Sequence, residues 1–182
     1  IHLLHHGVTA GCGPGAYCPE DVVPRSQMAI FIANALARGG ANIAASGIWN
    51  GQSFNCAAGG TSLFTDVLPT DSFCKHVHYL ALQNVTLGCS GSLYCPSGAV
   101  SRLEMSGFIA RAMSAPAGAS AVPSSYGPDP VTGRLNDCSP TAPNLHFSDV
   151  AAGDPFCKHA HSLWAKGVIA GCSPSEYCPV YE

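Results

Sequence analysis

The chain has 182 residues, of which 47% are hydrophobic and only 10% charged, well under the roughly 25% usual in soluble domains. Eight Lys plus Arg against eleven Asp plus Glu leave a formal net charge of −3, so nucleic-acid binding and charge-driven membrane docking are both excluded for want of a basic face. The longest apolar stretch, 28–33, is far short of the ~20 residues that cross a bilayer, and no membrane insertion is expected.

Ten cysteines, 20 Gly and 14 Pro point to a loop-rich, disulfide-stapled protein of an oxidising compartment, with a cytosolic metal protein as the competing class. The chain opens at Ile1 without a signal-like segment, which reads as a processed product or a fragment.

From the amino end, 1–40 begins with clustered His2, His5 and His6, followed by Gly11-Cys12 to Tyr17-Cys18-Pro19. Val23-Pro24-Arg25-Ser26-Gln27-Met28 then leads into a predicted helix with Met28, Phe31, Ile32, Ala35 and Leu36 on one face, stopped by Gly39-Gly40. A connector at 41–62 is rich in Gly, Ala and Asn. The segment 63–114 contains Phe64-Thr65-Asp66-Val67 and Phe73-Cys74-Lys75-His76-Val77-His78 on a predicted helix striped by Phe73, Val77, Leu80 and Ala81. Asn84-Val85-Thr86 is a formal glycosylation triplet. Gly88-Cys89 to Tyr94-Cys95-Pro96 repeats the cysteine loop. Ser101 with Glu104 forms a predicted capping box ahead of Met105, Phe108, Ile109, Ala112 and Met113 at helical spacing.

The second connector, 115–144, is rich in Pro, Ser and Ala, and its hydroxyl content would suit O-linked sugar. The last segment, 145–182, contains Phe147-Ser148-Asp149-Val150 and Phe156-Cys157-Lys158-His159-Ala160-His161, with Asp154 as predicted cap and Pro155 at the first helical position. Phe156, Ala160, Leu163 and Trp164 make its stripe, Gly167 its stop, and Gly171-Cys172 to Tyr177-Cys178-Pro179 is the third cysteine loop. These blocks recur in one order, so the chain is a repeat protein, and the expected fold is mainly α: helix–loop–helix repeats with disulfide-closed loops and long irregular connectors.

Three Cys-x5-Cys pairs close short loops, Cys12–Cys18, Cys89–Cys95 and Cys172–Cys178. The remaining four, at nearly equal separations, suggest Cys56–Cys74 and Cys138–Cys157. The competing metal reading rests on Cys74, His76, His78 and Cys157, His159, His161. On a helix, residues i and i+2 point about 200° apart, and Cys74 with His78 offers two ligands where structural zinc takes four. No metal or other cofactor is therefore expected. The sequence contains no Cys-x-x-Cys-His, Gly-x-Ser-x-Gly, phosphate-binding loop or His-Glu-x-x-His, and no carboxylate pair stands out as acid and base. No enzyme is expected.

The order Phe-x-Asp-Val, short helix, Gly-Val-x-x-Gly, aromatic-Cys-Pro loop, Val-x-Arg-x-Glu/Gln-Met and second apolar helix resembles the S-layer homology repeat. The resemblance makes 63–114 one complete repeat, 1–40 a second half and 145–182 a first half. It implies a helical bundle whose grooves bind cell-wall polysaccharide. The family's Thr-Arg-Ala-Glu motif maps to Pro24-Arg25-Ser26-Gln27 and Ser101-Arg102-Leu103-Glu104. By resemblance Arg25, Gln27, Arg102 and Glu104 are glycan contacts, the arginines suiting an acidic sugar; equally, the arginines could brace a helix start. The Cys-x5-Cys loop stands where the family has an Asp-Gly-rich one, Pro24 or Ser101 stands for its Thr, and the third copy stops before the motif.

The expected function is a non-catalytic extracellular structural protein of a prokaryotic cell surface, self-assembling into a surface layer or filament. Head-to-tail contacts are expected from half-repeats that each leave an apolar helix face uncovered. The alternatives are an anchoring module for cell-wall polysaccharide and, more weakly, a secreted metal-binding protein.

Overall fold

The chain divides between Val100 and Ser101 into two units, each running helix, 3-10 turn, antiparallel strand pair, helix, cysteine loop. This computed structural model describes residues 8–9, 11–18, 20–129, 133, 135–139, 141 and 144–180; His2, His5 and His6 lie outside them.

In unit 1, α1 (Arg25–Ala37) starts after Pro24, whose fixed φ of −72° feeds an entering helix, and ends where Arg38 turns left-handed. A 3-10 turn at Gly40–Asn42 leads to β1 (Ser46–Trp49) and β2 (Gln52–Asn55), paired from Ser46↔Asn55 to Trp49↔Gln52. Asn50 and Gly51 form the two-residue turn with φ of 49° and 81°, the mirror-image turn whose twist matches paired strands and which Asn-Gly favours. Helix α2 (Cys74–Leu82) follows.

Unit 2 repeats the order: α3 (Arg102–Met113), a 3-10 turn at Gly118–Ala121, β3 (Ser125–Tyr126) paired with β4 (Asn136–Asp137), and α4 (Cys157–Ala165). The predicted box is present on α3: Ser101 Oγ accepts the Glu104 N–H, and Glu104 returns to the Ser101 N–H at 3.0 Å. Helices α2 and α4 both end with a left-handed residue, Asn84 or Gly167, and the next N–H reaches back to Leu80 or Leu163 at 2.9 Å. Helix α4 begins two residues later than predicted. Asp154 Oδ1 accepts the Phe156 N–H at 2.7 Å, and the helix proper opens at Cys157.

Three expectations are corrected. The fold is not mainly α: it is a small mixed α/β fold, 30% helix and 13% strand in two small antiparallel sheets. The strands lie within the segments 41–62 and 115–144, whose described residues are therefore not wholly irregular. Their alternation was masked by small polar residues, yet Phe54 inserts with 2% exposure and stacks on His78 with centroids 4.4 Å apart. Second, the helix faces expected to be uncovered are covered. Helix α1 packs with α2 and α3 with α4, so helices pair across the sequence repeat and the 63–114 segment contributes one helix to each unit. Third, Met113 is 52% exposed, because it lies on the last turn of α3 rather than in the core.

The core of unit 1 gathers Met28, Phe64, Val67, Val77, Leu80, Val85 and Tyr94. In unit 2 one cluster gathers Phe147, Val150, Ala160 and Tyr177 and a second gathers Ala110, Val122, Tyr126 and Leu163. Each large apolar side chain so buried contributes about 1.5–3 kcal/mol. All ten cysteines are paired as Cys12–Cys18, Cys56–Cys74, Cys89–Cys95, Cys138–Cys157 and Cys172–Cys178, with Cα–Cα distances of 5.8–6.0 Å, inside the bridging range.

Candidate functional site

The repeated polar residues converge on the cysteine loops. Such a loop starts at a glycine because nothing else fits: at Gly88, with φ of 95°, a Cβ would lie 2.4 Å from the Leu93 carbonyl oxygen. Asp66 then grips the far side, accepting the Tyr94 N–H at 2.8 Å and the Cys95 N–H at 2.7 Å. This holds Cys95 in its left-handed conformation, φ 59°. From the start of α1, Arg25 lies over the Tyr94 ring, 5.0 Å from its centroid. Its Nε donates to the Tyr94 carbonyl at 2.9 Å and its Nη2 to the Gly88 carbonyl at 3.3 Å. Tyr94 reciprocates, its hydroxyl donating to the Arg25 carbonyl at 2.9 Å. Burial pushes that hydroxyl well above the usual tyrosine range.

Unit 2 builds the same clamp. Asp149 accepts the N–H groups of Tyr177 and Cys178, both at 2.7 Å. Arg102 lies over Tyr177 at 4.8 Å and donates to the Ala170 carbonyl at 2.6 Å, and the Tyr177 hydroxyl donates to the Arg102 carbonyl at 3.0 Å. Burial raises the Tyr177 pKa too.

Of the four residues the resemblance implied as glycan contacts, Arg25 is 7% exposed, and its guanidinium serves the fold. Arg102 is half-buried in the equivalent clamp. Glu104 closes the capping box. Gln27 is exposed on α1. Each arginine belongs to the loop clamp of its own unit. The spacing of Arg25 from Tyr94 and of Arg102 from Tyr177 was readable, but nothing local marked the pairs as partners.

Beside each longer bridge sits a buried histidine. His78 Nδ1 lies 2.8 Å from the Cys74 carbonyl oxygen, and its Nε2 receives the Leu63 N–H at 2.9 Å. A carbonyl only accepts and an amide N–H only donates, so Nδ1 holds the proton and Nε2 is bare. His161 is locked alike: Nδ1 to the Cys157 carbonyl at 2.9 Å, Nε2 accepting from the N–H groups of His146 and Phe147, both at 3.2 Å. Burial lowers both pKa values.

The sulfurs of Cys56 and Cys74 stand 3.7 and 3.6 Å from His78 Nδ1, and Cys138 and Cys157 flank His161 in the same manner. These groups do not fit a metal. Both sulfurs of each set are bonded to one another, and Nδ1, the nitrogen facing them, is the protonated one. Binding through it would require the other tautomer, with Nε2–H set against a backbone N–H.

His76 and His159, two residues earlier, face the other way, as the helical angle requires. In unit 2 the Arg111 Nε donates to His159 Nε2 at 3.2 Å. Burial, then the neighbouring Arg111 and Lys158 charges, lower His159 to about 4. His76 is lowered by burial and Lys75. Each lysine crosses to the 3-10 turn of its unit, Lys75 to the Gly40 carbonyl and Lys158 to that of Ala119, both at 2.8 Å.

One cluster occurs in unit 2 alone among the described residues. His146 stacks on Trp164 with centroids 3.7 Å apart, and its Nδ1 lies 3.0 Å from Oδ2 of Asp129, which is 2% exposed. Trp164 also lines an open cleft with Gly127, Pro128, Ala165 and Gly167. No reading of the sequence anticipated it, because Asp129, His146 and Trp164 are distant along the chain, and Trp164 read only as part of an apolar helix stripe. Thr86 of the glycosylation triplet is buried, its hydroxyl accepting the Gly88 N–H at 3.1 Å. No family model matches the chain, and no curated protein or solved structure matches it either.

Proposed function

We infer that the chain is a non-catalytic structural subunit of an extracellular, cell-surface assembly, associating with copies of itself. The observation that carries this reading is the direction in which the side chains are used. The repeated arginines, aspartates, lysines and histidines all turn inward to hold loops and turns, in duplicate. Large apolar side chains turn outward instead, among them Ile48 at 69%, Leu68 at 61% and Leu87 at 63% exposure. A surface with so few charges opposes self-association weakly. Five disulfides support an oxidising, extracellular setting, no helix among the described residues is long and apolar enough to cross a membrane, and the motif order resembling S-layer homology repeats supports a surface-layer role.

Sedimentation velocity and negative-stain microscopy of the oxidised chain over a concentration series test the reading. Regular oligomers or polymer are expected, weakened by Ile48→Lys or Leu87→Lys. A monodisperse monomer at the highest concentration overturns it. The alternative, an anchoring module for cell-wall polysaccharide, draws support from the Trp164 cleft, which offers a half-buried aromatic side chain to a ligand. In that case envelope glycan would be retained by the chain and lost with Trp164→Ala.

A further inference from the structure

The two histidines that face the longer bridges do something their neighbours do not: each accepts hydrogen bonds from the backbone of a separate segment. His78 Nε2 takes the Leu63 N–H, with the Ser62 hydroxyl 3.3 Å away. His161 Nε2 takes those of His146 and Phe147. Both rings are fully buried, and in both the Nδ1 proton is already committed to a helix carbonyl. A second proton can therefore enter only at Nε2, where it converts the acceptor into a donor pointed at backbone N–H groups, with the Ser62 hydroxyl beside His78 able to take only part of that proton's hydrogen bonding at 3.3 Å. The latch is then lost and replaced by repulsion in a site closed to water.

We propose that His78 and His161 are acid-released latches, whose protonation frees the segments 62–67 and 145–150 as flaps that take Phe64, Val67, Phe147 and Val150 out of the core and that the Cys56–Cys74 and Cys138–Cys157 bridges keep tethered. Both segments lie between the two cysteines of a bridge, so opening cannot pass beyond the bridged ends. Each flap carries the aspartate that grips a cysteine loop, Asp66 or Asp149, so release of the flap also slackens that loop.

The groups packed around His78 are the Phe54 and Phe64 rings, the Ser62 hydroxyl and the bridge, none of which ionises near neutrality. Lys75 on its own helix sends its ammonium away to Gly40. Around His161 stand Phe147, the second bridge and one ionisable ring, His146, itself held by Asp129. The closed form resists the proton that the open form accepts near the ordinary histidine pKa. Opening consequently becomes up to about tenfold easier per pH unit below about 6.5.

Amide hydrogen exchange of the full, oxidised chain tests this, read as protection factors from about pH 7.5 to about pH 4.5. Protection of Leu63, Phe64, His146 and Phe147 is expected to fall by up to about 100-fold and to recover on neutralisation, with the α1 amides of Ala29 and Ala33 falling far less. His78→Gln supplies a carbonyl acceptor that does not titrate; it should flatten the response at 63–64 and leave that at 146–147. Should that variant not fold, nitrogen NMR of the wild-type imidazoles decides, since the latch requires protonated Nδ1 and bare Nε2 at neutral pH. Flat protection across the range, a response at 63–64 that persists undiminished in His78→Gln, or the opposite tautomer overturns the proposal.

Discussion

Unit 1 and unit 2 use the same loop clamp, bridge, histidine latch and lysine contact, yet differ in what fills the space between the 3-10 turn and the second helix. Unit 1 places a hairpin of two four-residue strands there, closed by Asn50-Gly51 and anchored by Phe54 on His78. Unit 2 pairs only two residues on each strand and covers its core with His146 on Trp164, backed by buried Asp129. The shared parts all demand fixed geometry: two N–H groups on one carboxylate, a guanidinium over a ring, a carbonyl on an imidazole. The part that differs serves chiefly to cover apolar area, and burial is non-directional. The directional contacts that hold the cysteine loops, bridges and lysines are shared, and the His146–Asp129 contact is a directional addition of unit 2.

The largest expected effect removes that agreement at its staple. Replacing both cysteines of Cys56–Cys74, or both of Cys138–Cys157, should cost about 3 kcal/mol, against about 2 kcal/mol for Cys89–Cys95, because the longer loop constrains the unfolded chain more. Urea unfolding followed by amide exchange in each unit checks this, and equal losses for long and short loops would break the account.

Acid should then separate the units. His159 is neutral when folded and its pKa is lowered to about 4, so the unfolded chain binds the extra proton first. The contribution is intact above about pH 6.5 and is lost as the pH falls towards 4, up to about 3 kcal/mol in all. In Arg111→Asn, which removes the nearer charge, the His159 titration followed by NMR should move up and the acid loss of unit 2 should shrink.

A smaller contrast is expected at the arginines. Arg25→Ala strips one buried carbonyl, one half-buried carbonyl and one ring face of their partner and should cost about 2–3 kcal/mol; Arg102→Ala, more exposed, should cost about 1 kcal/mol. Thermal melts of the two variants give the comparison. Equal shifts would mean that burial does not set the clamp's strength.

The smallest effect concerns Gly107, which stands where α1 has Ile30. A Cβ there would lie 2.5 Å from the Phe156 ring. Gly107→Ala should cost about 1 kcal/mol, the clash outweighing the gain in helix propensity, whereas Ile30→Ala should leave unit 2 untouched in exchange experiments.

What the sequence determined by itself was local or repeated: the five cysteine pairings, the Ser101–Glu104 box, the stop at Gly167 and the glycine that opens each cysteine loop. These depend on contacts within a turn or on spacings that recur, and periodicity reports them directly. The hairpin in 46–55 was also readable, because Asn50-Gly51 is a turn signal with a mechanism, but the small residues around it read as linker. The tertiary structure alone decided that α1 pairs with α2 and α3 with α4, that Arg25 and Arg102 serve loops far along the chain, and that His146 meets Trp164 and Asp129. A repeat period says how often a motif returns; it does not say where the folding unit is cut. That frame is set by which apolar faces and buried polar groups can be satisfied together, and those partners meet only once the chain has closed on itself.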